Sequence, residues 1–516
     1  MNYGVIRKII GKIFILLAVL MILPLIVSFI YVEGIRNYIS FLIPIVSLVL
    51  LGVLLSIRKI NNTKIGIREG IIIVGISWIS MSLFGCIPFL VSGEIPDFFS
   101  AFFEITSGFT TTGASALTGA QIESLSHSML FWRSFSHWIG GMGVLVFILA
   151  IIPESKDGSS VHILRAESPG PQVGKLVSKM QVTSRILYLI YIALSIIEMI
   201  VLLILPDEKI GFFEALIYTF GTAGTGGFAT TGASIACYLP CTQYVIAIFM
   251  IIFGINFSMF YFILIGNFKE VFKNEELRFY LIIVILSVVI ICFNTYSIYN
   301  NFEETFRYSF FTVASIISTT GFANVDYLDP NATWPALSLI IICLLSVFGS
   351  CAGSTAGGMK MSRVLIITKY SGAKIRNQIS PRKVEVIRMD GKVIDKPVID
   401  STVAFFVVFF IVLVICALLI SIYNPNMPSL DPLTSFTASL ACISNIGPGL
   451  GLVGPSGGFS DFSPFSKMVL SLEMIAGRLE LFPILVMFYP KTWMRRVWDS
   501  LFSCKILIYG ILLKQY

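Results

Sequence analysis

Long apolar segments, separated by short polar or charged stretches, dominate the pattern of the chain. The first two run from about residue 13 to 32 and from about 38 to 57. Each is close to the roughly 20 apolar residues that a helix needs to cross a bilayer. The first lacks the short core and small-residue cleavage site of a signal peptide, so it is predicted to be an uncleaved span, and the second is predicted to be a further span.

Four shorter apolar segments alternate with the long segments that follow, and each ends in a glycine-containing loop. They run from Phe98 to Gly113, Phe212 to Gly227, Phe306 to Gly321 and Pro432 to Gly447. Each offers roughly 10 to 12 helix-compatible residues, which is too few for a full span. Irregular backbone at membrane depth is tolerated only where protein buries it or where it lines water. The pattern therefore predicts four short helices that enter the membrane partway and return through a glycine loop.

This alternation predicts an all-α polytopic membrane protein, with two N-terminal spans and four pseudo-symmetric helix–pore-loop–helix repeats around one central pore. Each repeat comprises a span, a short helix, a glycine loop and a second span, which gives about ten full spans. Two extra N-terminal transmembrane helices are predicted at 1–62. The four repeats are predicted at 63–160, 161–270, 271–370 and 399–490, and the third has a broken second helix. A basic cytoplasmic loop is predicted at 371–398, and a cytoplasmic or interfacial C-terminal tail at 491–516.

Composition supports this class. The 516 residues are 56% hydrophobic and only 13% charged, whereas a soluble protein carries about 25% charged residues. The net charge of +7 does not indicate nucleic-acid binding, because the basic residues alternate with apolar spans and form no continuous stripe. Their concentration between residues 363 and 396 and in the tail predicts that both termini are cytoplasmic and that all four glycine loops enter from outside.

Cysteine and histidine add little chemistry to this picture. The nine cysteines are scattered, mostly within apolar segments, where they act as small apolar residues. Cys237 and Cys241 follow the second glycine loop near the outer side, and their spacing leaves a disulfide open. His127, His137 and His162 are too dispersed to predict a metal centre.

The glycine loops carry the chemistry of a cation site. Their cores read SGFTTTGA, GTAGTGGFA, ISTTGFA and ISNIGPG. Glycine allows backbone angles that turn carbonyl oxygens toward an axis, and a ring of carbonyls can replace the hydration shell of a cation. The alternative is that the small residues only let helices pack closely, but four equivalent occurrences argue against it. The second loop has a competing register at Thr230–Ala233; matched spacing from Phe99 to Gly113 and from Phe213 to Gly227 favours Gly227.

A set of motifs distributed along the chain resembles one known family. They are Thr110–Ala114, Trp138–Gly143, Ala166–Pro171, Gly226–Phe228, Thr319–Phe322, Gly349–Lys360 and Asn445–Gly449. Together they resemble the membrane subunit of the Trk/Ktr/HKT superfamily of potassium transporters, most closely the TrkH type. The resemblance implies potassium uptake across the bacterial cytoplasmic (inner) membrane, with the potassium ion as cargo and no organic cofactor on this chain. It also implies a homodimer in the lipid bilayer and a cytoplasmic nucleotide-binding, TrkA-like regulatory subunit.

The resemblance also assigns residues. It places potassium contacts on three consecutive positions of each loop: Thr111, Thr112, Gly113; Thr225, Gly226, Gly227; Thr319, Thr320, Gly321; and Asn445, Ile446, Gly447. In the superfamily, glycine at the last position of each set accompanies potassium preference. The resemblance assigns gating to Gly349, Gly353, Gly357, Gly358, Lys360 and Arg478.

Two of these gate elements also stand out without the resemblance. The stretch Gly349–Gly358 interrupts an apolar run of about 30 residues, which predicts a broken helix, although a hinge without gating duty would look the same. It is no phosphate loop, because Met359 follows Gly358. Arg478 lies roughly 20 Å below the outer end of the last span, where a charge is costly and indicates function. It is predicted to act as an electrostatic plug; a salt bridge to another helix is the alternative.

Other interpretations stay open at this point. Glu104 and Glu214 in the first two short helices either line the ion path or are buried hydrogen-bond partners. A secondary transporter for an organic solute would also use discontinuous helices, but usually in paired inverted repeats, and a sodium-coupled cation symporter remains a further alternative. The sequence shows no clustered catalytic groups, so the chain is not predicted to be an enzyme.

Overall fold

The computed structural model describes residues 1–58, 66–143, 180–330, 332–380, 382, 385–422, 424 and 430–493. The predicted motif at 166–171, His162 and the tail beyond residue 493 lie outside these residues. The helices of the N-terminal part are α1 (Tyr3–Leu20), α2 (Ile22–Ile30), α3 (Ile35–Ser56), α4 (Ile67–Gly85), α5 (Ile87–Ser92), α6 (Phe98–Phe109), α7 (Gly119–Glu123) and α8 (His127–Gly141).

The chain continues with α9 (Met180–Ile204), α10 (Phe212–Gly224), α11 (Pro240–Phe253), α12 (Phe257–Leu264), α13 (Phe268–Lys273), α14 (Glu275–Tyr299), α15 (Phe302–Ile317), α16 (Ala336–Val347) and α17 (Met361–Ile379). An antiparallel hairpin follows, formed by β1 (Arg388–Met389) and β2 (Lys392–Val393). The remaining helices are α18 (Lys396–Ile422), α19 (Pro432–Ile443), α20 (Pro464–Arg478) and α21 (Phe482–Phe488), with short 3-10 turns at Gly451–Val453 and Pro490–Thr492.

The described residues contain six helices that are long and apolar enough to cross a membrane, or seven if one bent pair counts as a span. The six are Tyr3–Ile30, Ile35–Ser56, Arg68–Ser92, Ser184–Ile204, Glu275–Tyr299 and Lys396–Ile422. Protein covers the apolar surfaces of these helices only partly. In Lys396–Ile422, 28% of the most apolar stretch is buried. Exposed apolar helix surface of this length suits the lipid interior. The prediction of an all-α polytopic membrane protein is therefore confirmed.

Within the described residues, the second helix is interrupted in repeats 2, 3 and 4; the break in repeat 3 was predicted, and the breaks in repeats 2 and 4 correct the expectation of continuous spans there. In repeat 1, α8 ends at Gly141, and the predicted remainder to residue 151 lies outside the described residues. In repeat 2, α11 and α12 meet at 92° around Gly254. In repeat 3 the loop 348–360 separates α16 from α17, and in repeat 4 α20 and α21 are separated at Glu480 and Leu481, which have φ of 56° and 63°.

The sequence signalled an interruption only in repeat 3, where several glycines coincide. The break around Gly254 lies in mainly apolar sequence. The break at Glu480 and Leu481 depends on left-handed φ at non-glycine residues, which is uncommon and has no local sequence signature. Within the predicted loop 371–398, α17 continues to Ile379 and the hairpin forms the later part of the segment.

Most residues of the four short helices are buried. These helices are α6, α10, α15 and α19, and in α6 every residue from 100 to 109 is buried. Side-chain caps fix where two of them begin: Asp97 accepts from the Ser100 N–H at 2.8 Å, and Asp431 accepts from the Thr434 N–H at 2.9 Å. Such caps satisfy the free N–H groups of a first helical turn. The glycine loops therefore start from the ends of buried, firmly placed helices.

The N-terminal helices pack as an additional pair against this assembly. A Cβ atom on Gly11 of α1 would lie 2.8 Å from the Gly52 carbonyl oxygen of α3, and one on Gly52 would lie 2.7 Å from the Gly11 oxygen. Small residues at a membrane helix contact allow this close approach. In the turn between α2 and α3, Glu33 accepts from the Ser128 N–H of α8 at 2.9 Å, which ties the pair to repeat 1.

Candidate functional site

The four glycine loops share one backbone conformation despite their different sequences. In each, two residues separated by one position have left-handed φ: Thr111 and Gly113 (55° and 78°), Thr225 and Gly227 (55° and 77°), Thr319 and Gly321 (57° and 85°), and Asn445 and Gly447 (54° and 97°). Left-handed φ at threonine is uncommon. Its recurrence at equivalent positions indicates that the surrounding structure imposes the conformation.

One hydrogen bond recurs in every loop. The residue between the two left-handed positions donates its N–H to a carbonyl five residues earlier. The four bonds are Thr112 to Ser107 (2.9 Å), Gly226 to Gly221 (2.8 Å), Thr320 to Ser315 (2.9 Å) and Ile446 to Ala441 (2.9 Å). Each bond folds the loop back over the last turn of its short helix, so the carboxyl ends of all four helices lie beside their loops. The negative ends of the helix dipoles are therefore concentrated there.

The loops contact one another in a closed ring. A Cβ atom on the glycine of each loop would run into the carbonyl oxygen of the middle residue of the next: Gly113 against Gly226 (2.0 Å), Gly227 against Thr320 (2.0 Å), Gly321 against Ile446 (2.0 Å) and Gly447 against Thr112 (2.8 Å). The order runs from loop 1 to loop 4 and returns to loop 1. We refer to these twelve predicted contact residues, 111–113, 225–227, 319–321 and 445–447, as the ring.

The competing register of the second loop lies outside the ring. A Cβ atom on Gly232 would lie 2.7 Å from the Cα atom of Gly119, in the turn that follows the first glycine loop. Thr230 bonds through its hydroxyl to that of Tyr218 at 2.9 Å. The structure therefore brings Gly227 into the ring and leaves Gly232 in a contact between outer turns.

Hydroxyl groups brace the ring. Thr110 and Thr112 share a hydrogen bond of 2.8 Å between their hydroxyls, and Ser318 and Thr320 share an equivalent one of 2.7 Å. The Asn445 amide donates to the Thr112 hydroxyl at 3.0 Å, which links the fourth loop directly to the first. The first two bonds stabilise single loops, and the third holds the first and fourth loops together.

Sequence reasoning missed a histidine behind the ring. His137 of α8 is fully buried, and its Nδ1 lies 2.8 Å from the Gly108 carbonyl oxygen. Its ring contacts Phe228 at 4.3 Å, and a Cβ atom on Gly226 would lie 2.2 Å from its Cγ atom. His137 therefore packs against both the end of the first short helix and the second glycine loop. A single sequence contains no pattern that could have predicted that this histidine lies beside the glycine loops.

Glu104 and Glu214 are hydrogen-bond partners rather than ring residues. Arg133 approaches Glu104 to 2.7 Å in a fully buried ion pair, and the Ala116 N–H donates to the same carboxylate at 2.8 Å. Glu214 accepts from the Gly211 N–H at 3.1 Å and thereby caps α10. These contacts favour the hydrogen-bonding interpretation, because paired and capping carboxylates are already satisfied.

The loop 348–360 of repeat 3, here called the repeat-3 loop, contacts the ring. The Gly357 N–H donates to the Thr319 hydroxyl at 2.7 Å, and a Cβ atom on Gly357 would lie 2.5 Å from the Ser444 oxygen. The Gly349 N–H donates to the Met359 carbonyl at 2.8 Å, so the two ends of the loop are joined. Two further predicted glycines have left-handed φ: Gly353 (75°) and Gly358 (64°).

The two predicted gate cations both contact this loop. The Lys360 ammonium donates to the Ala356 carbonyl, so its side chain folds back onto the loop. The Arg478 guanidinium donates to the Thr355 carbonyl at 2.8 Å and to the Gly140 and Gly141 carbonyls at 2.5 and 2.7 Å. Arg478 thus joins the repeat-3 loop to the end of α8.

We expect the Cys237 and Cys241 thiols to be unbonded, because both are free in the structure. Alkylation of the denatured protein without reductant should modify both, and peptide mass spectrometry should detect both adducts. Cys351, which is buried and also free, provides the internal reference. Recovery of a Cys237–Cys241 linked peptide would contradict this expectation.

Comparison with known proteins identifies the family. The sequence model of the TrkH family, described as a cation transport protein, matches residues 37–495. The Trk system potassium uptake protein TrkH of Salmonella typhimurium is 32% identical over 501 residues, covering 96% of this chain and all of the relative. The Escherichia coli K12 protein of the same name is 31% identical over 502 residues.

A solved structure agrees with the sequence matches. The crystal structure of the potassium transporter TrkH from Vibrio parahaemolyticus superposes with a TM-score of 0.83 and 27% identity, and the match covers 96% of this chain and all of that one. The family resemblance drawn from the motifs is thereby confirmed. Because the family match and these alignments extend over nearly the whole chain, it belongs to the TrkH family of cation transport proteins.

Proposed function

We propose that this chain takes up potassium across the bacterial cytoplasmic membrane through the ring. The observation that carries the proposal is the closure of four equivalent glycine loops, each with a middle-residue carbonyl packed against the next glycine. A ring of backbone carbonyls can replace the water around a cation. The named relatives from Salmonella and Escherichia coli are potassium uptake proteins, which supports potassium as the ion.

The ring supplies both coordination and charge. We infer that potassium contacts residues 111–113, 225–227, 319–321 and 445–447. The ends of four short helices converge on these loops, and their negative dipole ends favour a cation. The loops differ in sequence, so the ring is only pseudo-fourfold. Potassium is cargo here rather than a resident cofactor.

The repeat-3 loop and Arg478 form the proposed gate. The loop bonds to the ring through Gly357, and Arg478 bonds to the loop and to the end of α8. A fixed positive charge near a cation path raises the barrier to passage. We infer that conduction requires these groups to move and that the contacts described here belong to a closed state.

The domain division, the orientation in the membrane and the partners are proposed from the charge pattern and from the family. The division into two N-terminal helices and four pore repeats is retained in this proposal. Basic residues in and after α17 would face the cytoplasm, together with both termini. A cytoplasmic nucleotide-binding subunit of the TrkA type would contact this basic surface between residues 369 and 396, and two copies of the chain would form a homodimer.

Ion flux in proteoliposomes tests this function. We expect the purified chain to carry rubidium, a potassium substitute, into vesicles with a negative interior, and to carry sodium more slowly. Rubidium uptake in sodium-free medium would separate this function from sodium-coupled symport, because a symporter would need the second ion. Uptake of an organic solute without cation flux, or no rubidium uptake at all, would contradict the proposal.

A further inference from the structure

A buried carboxylate holds both ends of the repeat-3 loop. Glu276, the second residue of α14, is 4% exposed. Its Oε1 atom accepts from the Ala352 N–H at 2.7 Å and from the Ser362 N–H at 2.9 Å. Ala352 lies near the beginning of the loop, and Ser362 lies just after its end. One oxygen atom of a neighbouring helix therefore connects the two flanks of the segment.

We propose that Glu276 is the positioning residue that clamps the repeat-3 loop in place beneath the ring. Buried backbone N–H groups need an acceptor, and a carboxylate is a stronger acceptor than a neutral oxygen. Without Glu276, both donors lose a partner together, so the loop loses an attachment at each flank. The effect of this clamp on ion flux rests on the proposed function; its effect on the loop does not.

Two contacts between the loop and the neighbouring repeat-2 helices are weaker candidates for this task, because each attaches the loop at a single point. The Cys351 N–H donates to the Gly254 carbonyl at 3.1 Å, and the Phe257 N–H donates to the Gly353 carbonyl at 3.1 Å. Both join the loop to the break between α11 and α12. They involve neutral groups, whereas Glu276 offers a charge-assisted bond to two N–H groups.

The same helix end is attached to the β-hairpin. Asp390, in the hairpin turn with φ of 51°, accepts from the Glu275 N–H at 2.7 Å and from the Asn274 amide at 3.2 Å. Lys369 of α17 pairs with the Glu275 carboxylate and donates to the Arg388 carbonyl at 2.8 Å. A continuous series of contacts therefore runs from the hairpin through the start of α14 to the loop.

Through this series of contacts, the β-hairpin is connected to the repeat-3 loop of the proposed gate. A displacement of the hairpin would act on Asp390, then on the first turn of α14, and then on the carboxylate that holds the loop. We infer that a partner which moves the hairpin changes the position of the repeat-3 loop through Glu276. The nature of that partner is not needed for the test, which uses the chain alone.

Thiol labelling measures the clamp independently of ion flux. Cys351 lies in the loop and is 1% exposed, so a chain that keeps it as the only cysteine reports loop release by its reaction with a small methanethiosulfonate. We expect Glu276→Ala to raise the labelling rate about tenfold, because two bonds to a charged acceptor are lost. Glu276→Gln retains an acceptor oxygen but loses the charge, so it should label at a rate between those of the parent and the alanine variant.

Two further variants complete the design. Glu198→Ala removes another fully buried glutamate, from α9, and controls for general loosening; its labelling rate should not change. Asp390→Ala removes the hairpin contact and should raise labelling about threefold, because the clamp itself remains. Size-exclusion elution in detergent checks that each variant is intact.

Each outcome bears on the proposal. Unchanged labelling of intact Glu276→Ala overturns the clamp, and so does a glutamine variant that labels as fast as the alanine variant. Unchanged labelling of Asp390→Ala overturns the role of the hairpin. Faster labelling of Glu276→Ala without faster rubidium flux supports the clamp and contradicts the proposed gating function of the loop, so the two failures are distinguishable.

Discussion

Gly113→Ser is expected to reduce rubidium flux about 100-fold and to abolish preference for rubidium over sodium. Gly113 has φ of 78°, and any Cβ atom there would lie 2.0 Å from the Gly226 carbonyl oxygen. Left-handed strain at a non-glycine residue costs roughly 1–3 kcal/mol, and the collision adds to it because a backbone oxygen cannot rotate away. A total of about 3 kcal/mol corresponds to about a 100-fold change. Flux of both ions in proteoliposomes measures the effect.

A glycine with the same φ but open surroundings provides the control. Gly93, in the turn before α6, has φ of 81°, and a Cβ atom there would meet no atom within 4 Å. Gly93→Ser therefore introduces left-handed strain without a collision and should leave selectivity unchanged. An intact Gly113→Ser protein with the parent ratio of rubidium to sodium flux would argue strongly against the ring as the selectivity filter.

Arg478→Ala is expected to raise rubidium flux about tenfold and to leave selectivity unchanged. The guanidinium donates to carbonyls of Thr355, Gly140 and Gly141, and a hydrogen bond from a charged group contributes about 1.5–3 kcal/mol. Losing the equivalent of one such bond, together with a positive charge near the ion path, would favour the open state by about a factor of ten. The ring itself is not altered, so the ratio of rubidium to sodium flux should stay the same.

Two further arginine substitutions test whether a rise in rubidium flux is caused by loss of the positive charge at residue 478. Arg478→Lys keeps the charge and should retain most of the block if the plug is electrostatic. Arg376→Ala removes an exposed arginine that pairs with Glu385, and exposed pairs contribute little, so flux should not change. An intact Arg478→Ala protein with parent flux would remove the plug hypothesis.

The architecture could be predicted because its signals are local. A membrane span needs an apolar segment of a minimum length, and a short helix followed by glycine is visible in any one copy. Four copies at matched positions then indicated a ring, and the order in which Gly113, Gly227, Gly321 and Gly447 meet their neighbours follows the order of the chain. The motifs were also sufficient to identify the family, which the comparisons confirm.

The parts that sequence could not predict depend on partners distant in the chain. Glu104 is buried because Arg133 lies beside it, and Glu276 bonds to a loop that begins more than 70 residues later. The break at Gly254 lies within mainly apolar sequence, so hydropathy could not locate it, and the break at Glu480 depends on left-handed φ at two non-glycine residues. In each case the conformation is selected by packing, which a local pattern does not record.

The sequence by itself therefore determined the class of protein, the four short helices and the glycines on which their loops depend, because membrane thickness and left-handed φ constrain single segments. Only the tertiary structure decided how the loops close, since the bond between Asn445 and Thr112 joins residues 333 positions apart. It also decided which charges face one another, because a buried charge is stable only beside a partner that folding brings to it.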